Sequence, residues 1–176
     1  KADGAMAAMD MYCVSDNGGK GGGGDANSAA GGVSALYQTE AMRFRNTSIG
    51  TNTGHRGAQR GPGENQIMAV LAPIMDKAAE DLGLDRLEIR KLNAAQNGDV
   101  SGPRSQPFTS AYMPEALEMG AAQFDWETKR SRSRQTDGSK VRGLGIGQGY
   151  HNAGRSGMDG LIRMLPNGRL QIHNGV

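Results

Sequence analysis

Between Glu64 and Leu82 the apolar residues return at steps of three and four: Ile67, Met68, Val70, Leu71, Ile74, Met75, Ala78, Ala79 and Leu82. That period places them on one side of an α-helix. Gly83 follows the last of them, where a helix commonly ends in a left-handed residue. A helix this long and this one-sided needs a covering layer, so the rest of the chain must build a core against it. Pro73 lies inside the pattern; lacking an N–H, it is expected to kink the helix or split it into two segments. Asp85 with Glu88 then reads as a capping-box start for a shorter helix through about Leu92, with Leu84, Leu87, Ile89 and Leu92 as its apolar stripe.

The stretch that runs into the long helix is Thr51-Asn52-Thr53-Gly54-His55-Arg56-Gly57-Ala58-Gln59-Arg60-Gly61-Pro62-Gly63. Its glycines permit positive φ and close approach of backbone to a ligand. The helix start beyond it offers unpaired N–H groups and a positive dipole end. Together with Arg56 and Arg60 these features suit a phosphate or other anion. The competing reading is a plain turn ahead of a helix, with two surface arginines. No Lys-Ser/Thr follows the last glycine, so this is not a Walker A loop, and it is not the dinucleotide-binding fingerprint.

Elsewhere the pattern is weaker. Residues 5–14, with Met6, Met9, Met11 and Val14, read as a strand after the turn signal Asp3-Gly4. Ser15 to Gly32, with Gly21-Gly22-Gly23-Gly24, reads as a loop. Leu36-Tyr37 and Met42 to Thr47 read as extended. Asn97-Gly98 and Gly102-Pro103 mark a loop. Pro114 opens a third helix through Ala116, Leu117, Met119, Ala121 and Phe124, ended by Asp125-Trp126. Lys129-Arg130-Ser131-Arg132-Ser133-Arg134 reads as a solvated linker; with little aromatic interleaving it makes a poor platform for stacking bases. Val141 to Tyr150 alternates glycine with larger residues and reads as a strand with something packed closely on it. Met158 to Leu165, Pro166-Asn167-Gly168 and Arg169 to His173 form a hairpin.

Glycine supplies 28 of 176 residues, about twice the usual share of roughly 7 %. Aromatics are only 5 %, so the core leans on Met, Leu, Ile and Ala. A net charge of +2 makes no general case for nucleic acid or a membrane surface. No run of about 18 apolar residues is present to span a membrane, and no signal peptide is visible. His55, His151 and His173 are not at zinc-ligand spacing, and the lone Cys13, read as a buried thiol, cannot complete a thiolate site. No metal ligands and no nucleophile–base arrangement are assigned, and the catalytic residues stay unknown. The chain opens on Lys1 and closes in a predicted strand, which suggests a piece of a larger polypeptide or a subunit that completes its sheet with another chain.

In order and spacing, these features resemble the molybdenum-binding large subunit of the xanthine dehydrogenase, aldehyde oxidase and carbon monoxide dehydrogenase family. Leu36-Tyr37 and Met42-Arg43 resemble its strand region ahead of the active-site loop, and Thr51-Asn52 its Thr-Asn pair. Gln59-Arg60-Gly61-Pro62-Gly63-Glu64-Asn65-Gln66 is similar to its aromatic-Arg-Gly-x-Gly-x-x-Gln motif. Leu82 to Asn93 resembles a Leu-Gly-hydrophobic-Asp-Pro-x-Glu-hydrophobic-Arg-x-x-Asn segment. Arg142 to Gly147 looks like a glycine-rich strand, and Leu161 to Val176 like the hairpin leading into a Gly-Gln-Gly cofactor loop.

The resemblance implies an α+β piece of a molybdopterin-binding domain, with mixed sheets and helices, incomplete without the rest of the subunit. It implies hydroxylation with oxygen from water, and a molybdopterin carrying molybdenum, as the cytosine dinucleotide. The [2Fe-2S] clusters and FAD are expected on partner chains or domains. The partners are then the remainder of the molybdenum subunit, an iron–sulfur subunit, an FAD subunit and a small-molecule substrate, with no nucleic acid. The cytoplasm is the expected compartment, the periplasm staying open. Gln59, Arg60, Gly61, Pro62 and Gly63 are the expected cofactor-facing residues, with Gly147, Gln148 and Gly149 as weaker candidates. The expected layout is a strand and glycine-rich loop region over 1–50, the cofactor-side loop and helices over 51–128, a basic linker over 129–140, and a strand with hairpin over 141–176.

Departures from the family narrow the substrate. Gln59 stands where an aromatic is usual, and Pro62 where purine enzymes place a stacking ring. The purine-binding arginine would fall near Ser28, in the glycine-rich loop, so an aldehyde or an N-heterocyclic or aromatic substrate is expected rather than a purine. The copper-binding cysteine of the carbon monoxide enzymes is missing from the loop. The family's catalytic glutamate would lie beyond Val176. Two other classes stay open: a polyanion- or RNA-binding module using Arg56, Arg60 and the run Lys129 to Arg134, and a structural subunit that has lost the cofactor.

Overall fold

A computed structural model describes residues 1–19, 25–57, 59–102, 105–150 and 160–174. Gly21 to Gly24, Ala58, Pro103, His151 and Met158, all named above, lie outside the described residues. Strand β1 (Ala8–Gly18) is followed by helix α1 (Asp25–Leu36) and strand β2 (Ala41–Gly50), then by helices α2 (Glu64–Leu82) and α3 (Arg86–Asn93). A small hairpin, β3 (Val100–Ser101) with β4 (Gln106–Pro107), leads to α4 (Met113–Phe124) and α5 (Trp126–Ser131). The chain continues through the pair β5 (Thr136–Asp137) and β6 (Lys140–Val141) to the hairpin β7 (Gly160–Met164) and β8 (Leu170–Asn174).

β1 and β2 pair in parallel, from Ala8 beside Ala41 to Gly18 beside Gly50, so α1 is the crossover a parallel pair requires. Exposure alternates strictly along β1. Met9, Met11 and Cys13 turn inward; Asp10, Tyr12 and Val14 turn out. The inward residues and Phe44 of β2 pack on a core made by Ala29, Val33 and Leu36 of α1, Ile67, Met68, Leu71, Met75 and Ala79 of α2, and Ile89 of α3. The outer face is tied by polar pairs: Arg43 with Asp10, Arg45 over the Tyr12 ring at 5.3 Å, and Tyr12 Oη with Thr47 Oγ1 at 2.8 Å.

The observed α+β architecture, with parallel and antiparallel pairs and packed helices, agrees with the expectation. α2 occupies the predicted residues, and Pro73 does not split it. Gly83 closes it at φ 68°, with Leu84 N–H donating to Ala79 O at 2.8 Å. Asp85 caps α3 by accepting from Leu87 N–H at 2.7 Å and Glu88 N–H at 3.3 Å. Glu88 itself reaches to Lys91 at 3.3 Å.

Four readings need correction. Ser15 to Gly32 is not one loop: β1 continues to Gly18, and α1 starts at Asp25 and carries Leu36 as its last residue. Asn27, Ser28, Gly31 and Gly32 are poor helix formers, but Val33 and Leu36 are completely buried against α2, and that packing overrides propensity. Asp125 ends α4 at φ 58°, but α5 begins at once and takes in Lys129 and Arg130, so the first part of the basic run is helical. Those bases are also engaged. Arg130 pairs with Asp85 at 2.9 Å and Glu127 at 2.7 Å, Arg134 with Glu80 at 3.3 Å, and Lys129 sits over the Phe124 ring at 3.9 Å. Residues 142–150 keep the expected period of two in burial, but among the described residues they pair with no strand, and none lies within 4 Å of where a Cβ would stand on Gly143, Gly145, Gly147 or Gly149. Cys13 is half-buried rather than buried.

Two buried polar side chains tie the helices together. Arg90, 1 % exposed, donates to Ala72 O at 3.0 Å and Arg86 O at 2.9 Å. Asp76 Oδ1 lies 2.7 Å from its Nη2 but off the hydrogen-bond direction, so that contact is an ion pair only. Asn93 accepts from Met6 N–H at 2.7 Å and donates to Gly4 O at 2.9 Å and Ile89 O at 2.7 Å, which clasps the N-terminal segment to α3.

Candidate functional site

β2 delivers the chain at Thr51 beside the C-terminal end of β1. There the two segments are joined backbone to backbone. Thr51 N–H donates to Gly18 O, and Gly19 N–H to Thr53 O, both at 3.2 Å. Gly18 adopts φ 68°, and a Cβ on it would fall 2.3 Å from Gly54 O, so only glycine fits. Asp16 accepts from Thr51 Oγ1 at 2.5 Å, from Thr53 Oγ1 at 3.1 Å and from Gly18 N–H at 2.9 Å. Arg56 Nη2 lies 3.5 Å from the same carboxylate. These donors, the Thr51 hydroxyl first and the Gly18 amide next, hold the Asp16 carboxyl down to about 2.

At the other end of the loop, Gly61 and Gly63 have φ of 70° and 80° on either side of Pro62. Gly61 O accepts from Asn65 N–H at 3.1 Å, Arg60 O from Asn65 Nδ2 at 3.0 Å, and Gly63 N–H donates to Gln66 Oε1 at 2.8 Å. Asn65 and Gln66 therefore brace the turn from inside the first turn of α2. The side chains of Gln59 and Arg60 are exposed, Pro62 is half-buried, and Gly61 and Gly63 are buried. Among the described residues, none accepts a hydrogen bond from the N–H of Arg60 or Gly61, or from the Arg60 guanidinium. Glu64, the first residue of α2, is buried beneath α1: a Cβ on Gly32 would stand 3.4 Å from its Cγ. An apolar cavity of about 240 Å³ opens beside Gly63, lined by Cys13, Ala26, Ala29, Gln66 and Ile67 among others.

The second candidate stretch lies across the helices as a strap. Leu144 O accepts from Arg86 Nη1 at 2.9 Å, and Gln148 Oε1 from Tyr37 Oη at 2.6 Å. Gln148 Nε2 is buried and finds no partner among the described residues. Burial pushes the Tyr37 phenol above its usual value, with Arg90 beside it pulling the other way. Tyr150 packs on the core, and burial followed by the charge of Glu64 raises its phenol in turn. The strap thus runs from Tyr37, at the end of α1, to the start of α2. Gln59 to Gly63 follow one another in a single loop, and among the described residues no hydrogen bond joins Gln148 to them. Gly147 and Gly149 are exposed, and among the described residues none lies within 4 Å of a Cβ built on either.

A turn with two N–H groups and a guanidinium that bond no described residue, at the positive end of a 19-residue helix, is suited to an anion of phosphate type. Among the described residues, no group of three or more His, Cys, Asp or Glu could hold a metal ion directly. His55 and His173 are both exposed and lie on separate elements. Ser28, expected in a loop, belongs to α1 and is half-buried. Sequence reasoning passed over Asp16, and it met Tyr37, Arg90 and Asn93 only as parts of resembling segments, with no role assigned to any of them. Only the spacing Asp16-x-Gly18, a local turn signal, offered a hint of the first.

Residues 1–94 match the molybdopterin cofactor-binding domain family. The chain is 33 % identical over 146 residues to the xanthine dehydrogenase molybdenum-binding subunit of Escherichia coli O157:H7, covering 82 % of this chain and 19 % of that protein. It is 29 % identical over 161 residues to the aldehyde oxidoreductase of Megalodesulfovibrio gigas, covering 90 % of this chain and 18 % of that one. The fold superposes on the solved aldehyde oxidoreductase from Desulfovibrio gigas with a TM-score of 0.80 at 26 % identity, covering 98 % of this chain and 19 % of that structure. The chain belongs to the molybdopterin cofactor-binding domain family of the xanthine dehydrogenases and aldehyde oxidoreductases. It spans about a fifth of the length of the relatives it matches.

Proposed function

We propose that this chain forms part of a molybdenum-cofactor-dependent hydroxylase, and that the turn Gln59 to Gly63 faces the anionic, phosphate-bearing part of the cofactor. The observation that carries this reading is the turn itself. Gly61 and Gly63 hold positive φ, the N–H groups of Arg60 and Gly61 are free, and the Arg60 side chain is unpaired among the described residues. A Cβ on Gly61 would fall 2.8 Å from Asn65 Nδ2, so the turn excludes a side chain where close backbone approach is wanted. These residues suit an anion of phosphate type.

When bound, the cofactor would supply a molybdenum centre able to take two electrons from the substrate while oxygen comes from water. The residues here would bind and orient. Arg60 would neutralise phosphate charge, and the amides of Arg60 and Gly61 would donate to its oxygens. Pro62 would set the turn, while Gln148, its Oε1 held by Tyr37 and its Nε2 buried, stays a weaker candidate. We infer the cytosine dinucleotide form of the cofactor, with [2Fe-2S] and FAD groups on partner chains or domains and the other parts of the molybdenum subunit completing the active site. Among the described residues, no helix is long and apolar enough to cross a membrane.

For the substrate we favour an aldehyde or an N-heterocycle over a purine, because Ser28 and Pro62 stand where purine enzymes carry an arginine and a stacking ring. The identity to a xanthine dehydrogenase subunit, 33 % against 29 % for an aldehyde oxidoreductase, supports the purine reading as the second. Elemental mass spectrometry and pterin fluorescence on the natively purified assembly test the first claim: molybdenum with pterin is expected, and their absence from an intact assembly refutes it. Turnover of benzaldehyde against xanthine by the same sample then decides between the substrates.

A further inference from the structure

We propose that Asp16, at the C-terminal end of β1, is a positioning residue that anchors the cofactor-facing loop at its entry; this rests on the reading that the turn Gln59 to Gly63 meets the cofactor. Among the described residues the loop is held at its two ends: besides the side-chain grips, Thr51 N–H bonds Gly18 O and Gly19 N–H bonds Thr53 O at the entry, and Gly63 N–H bonds Gln66 Oε1 at the exit. Asn65 holds its exit through Arg60 O and Gly61 O. The entry is held by Asp16, which gathers the hydroxyls of Thr51 and Thr53, the amide of Gly18 and the guanidinium of Arg56 onto one carboxylate.

Between these two grips, His55, Gly57 and Gln59 make no hydrogen bond to a described residue, so the loop's shape is set from its ends. A carboxylate suits this position because it accepts at both oxygens and donates at neither. Asp16 Oδ1 takes Thr51 and Gly18, and Oδ2 takes Thr53 and Arg56. Arg56 and Thr53 thereby become part of a fixed base, four residues ahead of Arg60. Gly18 allows the arrangement by letting the two backbones touch at Gly54. The carboxylate also lies at the C-terminal end of a parallel strand pair, the end at which open α/β sheets place their ligands.

The test uses the natively purified assembly carrying Asp16→Ala, Asp16→Asn or Thr51→Val. Amide exchange over residues 51–57 and the rate of pterin release are measured together. Asp16→Ala is expected to speed exchange at Thr51, Thr53 and Gly19 by about tenfold or more, and pterin release to a similar degree. Exchange in α2 and α3 and the emission of Trp126 should stay as in the wild type. Asp16→Asn keeps the acceptor for Thr51 and Gly18 and should recover most of the protection. If Asp16→Ala does not fold, Thr51→Val decides, with a smaller change expected in the same two readouts. Unchanged loop exchange overturns the proposal, and so does faster exchange with unchanged pterin retention, which would leave Asp16 a turn residue only. A wild-type assembly without pterin would instead sink the cofactor reading on which the proposal stands.

Discussion

Replacing Asn93 by alanine should destabilise this fold far more than an exposed polar substitution would. Its side chain is 4 % exposed and makes three hydrogen bonds, all to backbone. Two of them close the contact between the N-terminal segment and α3, where Met6 N–H and Gly4 O have no substitute partner among the described residues. Ile89 O is a helix carbonyl and loses less. Leaving two part-buried backbone groups unpaired costs about 1–2 kcal/mol each, so Asn93→Ala is expected to lose ~2–4 kcal/mol. At a urea slope of about 2 kcal/mol per molar, the midpoint should fall by ~1–2 M. Trp126 is the sole tryptophan and is buried, so its fluorescence reports the transition directly. Amide exchange at Met6 should accelerate in step. Asn93→Asp supplies a control: it keeps the acceptor for Met6 but turns a carboxylate toward two carbonyl oxygens, so it should not rescue. A midpoint within ~0.3 M of the wild type for the alanine variant, with Met6 still protected, would refute the clasp, because no other described side chain bonds that amide.

Other consequences can be checked with the same protein. Arg90→Met should cost ~2–4 kcal/mol in urea unfolding, less than a fully buried pair would, because Asp76 keeps some access to water and Arg86 at 3.5 Å. The same variant should raise the Tyr37 phenol further, since Arg90 is the charge that opposes its burial; ultraviolet difference titration would read this. Gly61→Ala forces a side chain to φ 70° and into Asn65 Nδ2, so a loss of ~1–2 kcal/mol and faster pterin release are expected, visible by denaturation and oxidised-pterin fluorescence. For Asp16 the folded carboxyl sits at about 2, below an unfolded value of about 3.9. Its contribution to the loop is therefore complete above roughly pH 5 and lost as pH falls through about 2. Residues 51–57 should keep constant protection from pH 7 to about 5, after correction for intrinsic exchange, and a loss centred near neutral pH would contradict the assignment.

What was legible in the sequence follows from which signals are local. α2 was readable to its ends because a period of three and four, a glycine turn before it and Gly83 after it all point the same way. The β7–β8 hairpin was readable from Asn167-Gly168, a turn that needs no tertiary help: Gly168 sits at φ 78° and Leu165 N–H meets Arg169 O at 2.8 Å. α1 was not readable, because Asn27, Ser28, Gly31 and Gly32 disfavour a helix in isolation and only the burial of Val33 and Leu36 decides the matter. The strap over 142–150 fell between the two cases. Its period of two in burial is local and was visible, but whether a strand lies beside it, and none does among the described residues, depends on the rest of the fold.

The same division governs the candidate site. Gly61-Pro62-Gly63 announces its turn because positive φ is a demand on single residues. Asp16 announces no more than a local turn with Gly18, since its role depends on β2 returning the chain beside β1 so that Thr51 and Thr53 arrive within reach of a carboxylate 35 and 37 residues earlier. Arg90 and Asn93 are alike in this respect: each is polar at a helical position facing the core, and each is explained by backbone groups supplied from other elements. With aromatics at 5 % and 28 glycines in 176 residues, this chain has little apolar bulk with which to fix the angles between its elements. Buried polar staples can fix them instead, because a hydrogen bond specifies direction as well as proximity. On that argument Arg90 and Asn93 set the platform of α2 and α3, Asn65 and Gln66 brace the turn upon it, and Asp16 fixes the loop's entry. A substitution at any of these positions should then disturb the turn in proportion to how few other contacts hold the same segment, and Asp16, which gathers Thr51, Thr53, Gly18 and Arg56 onto one carboxylate, should be among the most sensitive.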